Sequence, residues 1–170
     1  MTDSMRDLIV SESDESSAER QAPRYFIDLP WLEMNGRSFR SMAQGRFSAV
    51  AQSKLGTVTQ ERVPTVEKKS HKVVYEVKDV RFGDQPMAVI RSVCSKERNY
   101  ITPETPVLEC VFRVLLATGN QPATIERIRE QLGDWISLRD RPHGYAPELI
   151  ERLINHDHRY GIRQFAMSVD

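Results

Sequence analysis

The sequence predicts an α+β protein: a small β-containing N-terminal region followed by three helices. Three observations carry this. Apolar residues recur at helical spacing in three successive blocks after residue 102, strand-like alternation is confined to the flanks of those blocks and to the region before them, and no internal repeat is present. The composition, 39 % hydrophobic and 28 % charged, is that of an ordinary globular chain.

Three zones follow in order. Residues 1–22 carry six acids against Arg6 and Arg20, a net −4, and little apolar surface, so they read as a disordered acidic tail. Its one apolar triplet, Leu8-Ile9-Val10, is either a docking spot or a stray run. Residues 23–101 carry +6 and form a basic, β-rich region with a short helix. Within it, Tyr25, Phe26, Ile27 and Leu29 read as a short buried strand. Phe39, Met42, Ala43 and Phe47 place a helix over about 37–46, in preference to a hairpin at Asn35-Gly36. Residues 52–72 are polar and weakly periodic, either an exposed hairpin or a mobile insertion. Val73, Tyr75 and Val77 alternate as in a strand, "FGDQP" has turn chemistry, and "MAVIRSV" is a continuous apolar run. Residues 72–93 are therefore expected to form a β-hairpin.

Residues 102–170, at −2, are helical. Val107, Leu108, Val111, Phe112, Leu115 and Leu116 line one helix, with Thr105 as the expected cap and Pro106 as the first helical residue. Ile125, Ile128 and Leu132 line a second, capped by Thr124 and ended by Gly133. Leu149, Ile150, Leu153 and Ile154 line a third, opened by Pro147. Phe165, Met167 and Val169 alternate as a closing strand.

"VFRVLLATGNQPATIERIREQL" resembles the first two helices of winged helix-turn-helix domains, and "APELIERLINHDHRYGIRQF" resembles a third helix running into a first wing strand. The resemblance spans about 65 residues and implies a winged-helix-like unit with nucleic-acid binding as its first function. Two departures are visible. "GDWISLRDRPHGYA" is far longer than a tight helix-turn-helix turn. Only one wing strand follows the third helix; its partner would come from "DWISL" or from the N-terminal half. The third helix also offers Glu148 and Glu151 to phosphates, with only Arg152 in favour.

The candidate nucleic-acid-binding residues are Arg37, Arg40, Arg46, Lys68, Lys69, Lys72, Arg139 and Arg141, with Lys54, Arg62 and His143 beside them. The bland alternative is a solvated face with acids nearby. Trp31, Trp135 and Tyr145 could stack on bases, though aromatics flanked by aliphatics more often pack a core. His156-Asp157-His158 has the residue types of a metal or catalytic site. It stands where a helix pattern stops and a strand pattern begins, and we read it as punctuation between the two. Cys94 and Cys110 lack zinc-site spacing and read as buried free thiols. Neither a nucleophile motif nor a phosphate loop is present, so no catalytic residue, metal or cofactor is expected. No apolar run reaches a membrane span and no signal sequence is evident, giving an expected cytoplasmic location. The expected function is a non-enzymatic nucleic-acid-binding regulatory protein, with a protein–protein adaptor or assembly subunit as the alternative.

Overall fold

The computed structural model describes residues 21–140 and 144–166. The expected acidic tail, apart from Gln21 and Ala22, lies outside them, as do Arg141, His143, Met167 and Val169. Chain and structure agree on the mixed α and β class.

Strand β1 (Arg24–Ile27) turns Tyr25 and Ile27 inward and Phe26 outward. Leu29, expected in that strand, instead opens helix α1 (Leu29–Met34). Asp28 caps it by accepting from the Trp31 N–H at 3.1 Å, and Pro30 fits the first turn. Asn35 and Gly36 end α1 rather than joining two strands, with Gly36 at φ +68°. Helix α2 (Phe39–Gln44) lies inside the expected helix, capped by Ser38, and α3 (Ala49–Lys54) follows, capped by Ser48.

The hairpin is real but displaced. Strands β2 (Val58–Val66) and β3 (Val73–Arg81) pair antiparallel from Val58↔Arg81 to Val66↔Val73, turning at residues 67–72. "MAVIRSV" is not its second strand. It forms helix α4 (Pro86–Ser92), which buries Pro86, Val89 and Ile90; Cys94 follows in a 3₁₀ turn (Cys94–Lys96). A short, mostly apolar run fits a buried strand or a buried helix equally well. Here Pro86, Val89, Ile90 and Val93 are spaced for one helical face, and Pro86 suits a helix start.

Helix α5 (Val107–Ala117) is the centre of the core. Cys110, Val111, Phe112, Val114, Leu115 and Leu116 are wholly buried. At roughly 1.5–3 kcal/mol per large apolar side chain, this helix contributes more burial than any other element. Thr105 does not cap it. The cap position is Pro106, and the Thr105 hydroxyl instead accepts from the Thr102 N–H at 3.1 Å.

The short strand β4 (Ala123–Thr124) leads into α6 (Ile125–Leu132), where Thr124 accepts from the Arg127 N–H at 3.2 Å and Gly133 ends the helix. Helix α7 (Pro147–Asn155) buries Ile150 and Ile154. Strand β5 (Ile162–Gln164) begins earlier than the expected closing strand. Phe165 lies just past it, although its N–H still donates to the Arg24 carbonyl at 2.7 Å.

The three strands form one antiparallel sheet in the order β4-β1-β5. The partner of β5 thus comes from the N-terminal half. Asn120 fastens this arrangement. Held at φ +59° behind α5, it accepts from the Ile27 N–H at 2.7 Å and donates to the Ile27 carbonyl at 2.8 Å, completing a rung beside β1 that backbone alone leaves open. One hydrophobic cluster draws on both sides of residue 101, from Tyr25 and Ile90 to Leu115 and Ile162.

Among the described residues, no helix is long and apolar enough to cross a membrane.

Candidate functional site

The seven candidate basic residues that are described do not converge. Arg46 belongs to the interior. Its guanidinium is bidentate on Glu109, at 2.9 and 3.0 Å, and stacks over Phe112 with 4.8 Å to the ring centroid. Arg113 donates to the same carboxylate at 3.0 Å. Burial pushes the Glu109 carboxyl up, but hydrogen bonds from Arg46, Tyr160 and Arg113 outweigh it and hold it below the usual glutamate value. Burial and the bond to Glu109 raise the Tyr160 hydroxyl to about 12. This network joins α2's exit to α5, and both of its cations are engaged on the one carboxylate.

Arg40 pairs with Asp84. Arg37 is exposed between α1 and α2. Arg139 is exposed in a 3₁₀ turn (Leu138–Asp140) beside α6, lining a depression with Glu126, Arg129 and Glu130. Lys68, Lys69 and Lys72 stand apart from all of these. They occupy the turn that joins β2 to β3, and all three are exposed.

That turn ends the most unusual element of the molecule. Nine residues per strand, at about 3.3 Å each, make a ribbon about 30 Å long. No residue of either strand is buried. Val58, Val66, Val73, Val74, Tyr75 and Val77 are among the exposed large hydrophobics, and six of the ten such residues on the described surface belong to this ribbon. A stray exposed valine needs no explanation; five valines and a tyrosine on one element do. Partners across the ladder share a face, so Pro64, Val66, Val73, Tyr75 and Val77 line one side.

Its root is fastened firmly. Phe82 meets Phe47 edge-on at 6.3 Å, the Phe82 N–H donates to the Thr57 carbonyl at 2.7 Å, and the Gln44 amide donates to the Gly83 carbonyl at 2.9 Å. Gly83 lies at φ +93°, and a Cβ there would run into the Leu55 side chain. The ribbon is thus aimed by the body while receiving no cover from it.

His156-Asp157-His158 does what its position predicts. Asp157 is buried, and its carboxylate accepts from the backbone N–H groups of Arg159, Tyr160 and Ile162 at 2.8, 2.9 and 2.8 Å. It thereby shapes the turn between α7 and β5. His156 is the C-cap of α7, with Nδ1 2.8 Å from the Arg152 carbonyl. Cys94 and Cys110 are both free and buried, and burial raises the Cys110 thiol. Trp135 is half-buried and donates to the Ser95 carbonyl at 3.0 Å; Tyr145 is buried. Trp31 lies under the Arg163 guanidinium, 4.2 Å from its ring. All three aromatics are therefore engaged within the fold.

The sequence left residues 52–72 open between an exposed hairpin and a mobile insertion, and so missed β2 as the partner of the strand expected at Val73–Val77. Val58 and Val66 lie on one face of β2 and Val63 on the other, with charged and polar residues between them, so the sequence shows no period of two there. No protein-family model, curated protein or solved structure matches the chain.

Proposed function

We propose that the chain is an assembly or adaptor protein: a winged-helix-like body that carries the β2–β3 ribbon as its contact arm. The ribbon's exposed apolar face is the observation that carries this reading. A two-stranded ribbon is marginally stable alone in water, and Pro64, Val66, Val73, Tyr75 and Val77, clustered on the half of one face nearer the turn, gain most from a protein surface. The winged-helix-like description is supported by the order α5-β4-α6-α7-β5 and by β5 finding its partner in β1. That partner arrives from the far end of the chain, so the two strands do not form a wing hairpin. Glu148 and Glu151 on α7 also weigh against that helix entering a groove.

A photoreactive residue in place of Tyr75 tests the reading. Crosslinked species of defined mass are expected at Tyr75 and not at exposed Glu104 on the body. Equal yields at both positions would sink it.

Nucleic-acid binding is the second reading, and Lys68, Lys69 and Lys72 at the ribbon tip favour it. A two-stranded ribbon fits the major groove in width. Three phosphate contacts would give a slope of log affinity against log salt of roughly −3, flattened when the three lysines are replaced by alanine. Such a slope on a duplex would move this reading to first place.

A further inference from the structure

The alternation of the ladder decides which backbone groups of the ribbon are free. Its register continues at both ends, in the Phe82 N–H donating to the Thr57 carbonyl and the Glu67 N–H donating to the Lys72 carbonyl at 3.0 Å. Hydrogen-bonded pairs therefore fall at odd positions of β2 and even positions of β3. The N–H and C=O groups of Val73, Tyr75, Val77, Asp79 and Arg81 point away from β2 to a free edge. The same alternation turns Pro64 outward, so the β2 edge lacks a donor near its middle. Proline on an outer strand blocks pairing there. The β3 edge has no such guard. It holds four valines and a tyrosine, with neither proline nor glycine.

The side chains of β3 are complementary to themselves in one register. Let a second copy of β3 run antiparallel about a two-fold axis through Val77. All nine residues then overlap. Val77 meets Val77, Tyr75 meets Asp79 and Val73 meets Arg81, each with its outward backbone groups facing the other's. On the opposite face Glu76 meets Lys78 twice and Val74 meets Val80 twice. Moving the axis one residue either way sets Glu76 against Glu76 or Lys78 against Lys78, and shortens the overlap. Opposite charges directly across a ladder stabilise it, and like charges destabilise it.

We propose that β3 pairs with β3 of a second copy of this chain, antiparallel and centred on Val77, joining two ribbons into one four-stranded sheet. This rests on the ribbon being a contact arm and names its occupant. The pairing adds about ten backbone hydrogen bonds and doubles the strand number past the point where a sheet holds by itself. The interface is isologous, so it closes at two copies, and the outward Pro64 edges keep the sheet from growing further.

Sedimentation of the full chain tests the proposal, with a dimer expected at about 100 µM or below. Val77→Pro removes an outward N–H that takes no part in the β2–β3 ladder. It is expected to give a monomer with an unchanged circular dichroism spectrum. Glu76→Lys alone, and Lys78→Glu alone, should each weaken self-association by roughly tenfold. Mixing these two variants should restore a dimer containing one of each, because both ladder positions then carry opposite charges again. A merely structural role for either residue would not be rescued by mixing. A chain that stays monomeric at about 100 µM, or a dimer indifferent to both Val77→Pro and the charge changes, overturns the proposal. If Tyr75 still crosslinks to a different protein while the chain is monomeric, the contact-arm reading stands and this proposal fails.

Discussion

Val111 and Val114 in α5 are wholly buried, whereas Val66, Val73 and Val77 in the ribbon are more than half exposed. Arg46 and Lys69 differ in the same way: one is clamped on Glu109 beneath the surface, the other is exposed at the ribbon turn. The body uses its residues to hold itself together. The ribbon, of similar chemical make-up, holds nothing in the body. Residue type therefore fails as a guide to role here, and position in the fold decides it. Changes in the body should show as lost stability, and changes in the ribbon as altered association.

The largest effect is expected at Glu109. Glu109→Gln leaves Arg46 and Arg113 without their shared charge partner at a site where the side chains are 12–25 % exposed. A loss of about 3 kcal/mol follows, or a melting temperature lower by roughly 6–12 °C. Because the folded carboxyl titrates below its ordinary value of 4.5, its contribution is fully present above that pH and is lost as pH falls through the folded value. Denaturant titrations of both proteins should show a constant gap above about pH 5 that narrows under more acid conditions. A gap that widens in acid would contradict the assignment.

A smaller effect is expected at Asn120. Asn120→Gly keeps the positive φ available but removes both bonds to Ile27, costing about 1–3 kcal/mol by chemical unfolding. Amide exchange at Ile27 should quicken in the same variant. If stability is unchanged, the side-chain rung is ornamental.

The smallest effect tests the comparison itself. Replacing Val58–Arg81 with a short Gly-Ser turn should shift the melting temperature of the dilute protein by no more than about 2–3 °C, because none of the removed side chains belongs to the buried core. A large drop would show that the ribbon supports the body after all.

The helices of the second half were legible because their periodicity is long and their stops are chemically marked: Thr124 before α6, Gly133 after it, and Pro147 opening α7. The strand at Tyr25–Ile27 was legible from its apolar run. Helix α4 was not, since "MAVIRSV" is only seven residues long, with Arg91 and Ser92 as its polar positions, too short to separate a period of two from one of 3.6. The ribbon was half legible: β3 alternates clearly, while β2 hides among Gln60, Glu61 and Arg62. What no periodicity could show was that Arg46 would meet Glu109, or that β1 would find its neighbours in β4 and β5. Those facts depend on pairings between distant parts of the chain.

The same distance has a cost during synthesis. Strand β1 lies in the middle of its sheet, flanked by β4 and β5, with Tyr25 opposite both Ala123 and Gln164. Its residues leave the ribosome long before those of β4 and β5. At about 5–20 residues per second, β1 waits on the order of ten seconds for β5. Throughout that interval Tyr25, Ile27 and Leu32 have no finished core to enter, while the locally paired ribbon forms in microseconds. A chain stalled after β3 but before β5 would thus carry an arm that closes and reopens on an unfinished body, a state in which premature arm-to-arm pairing would trap two incomplete chains together.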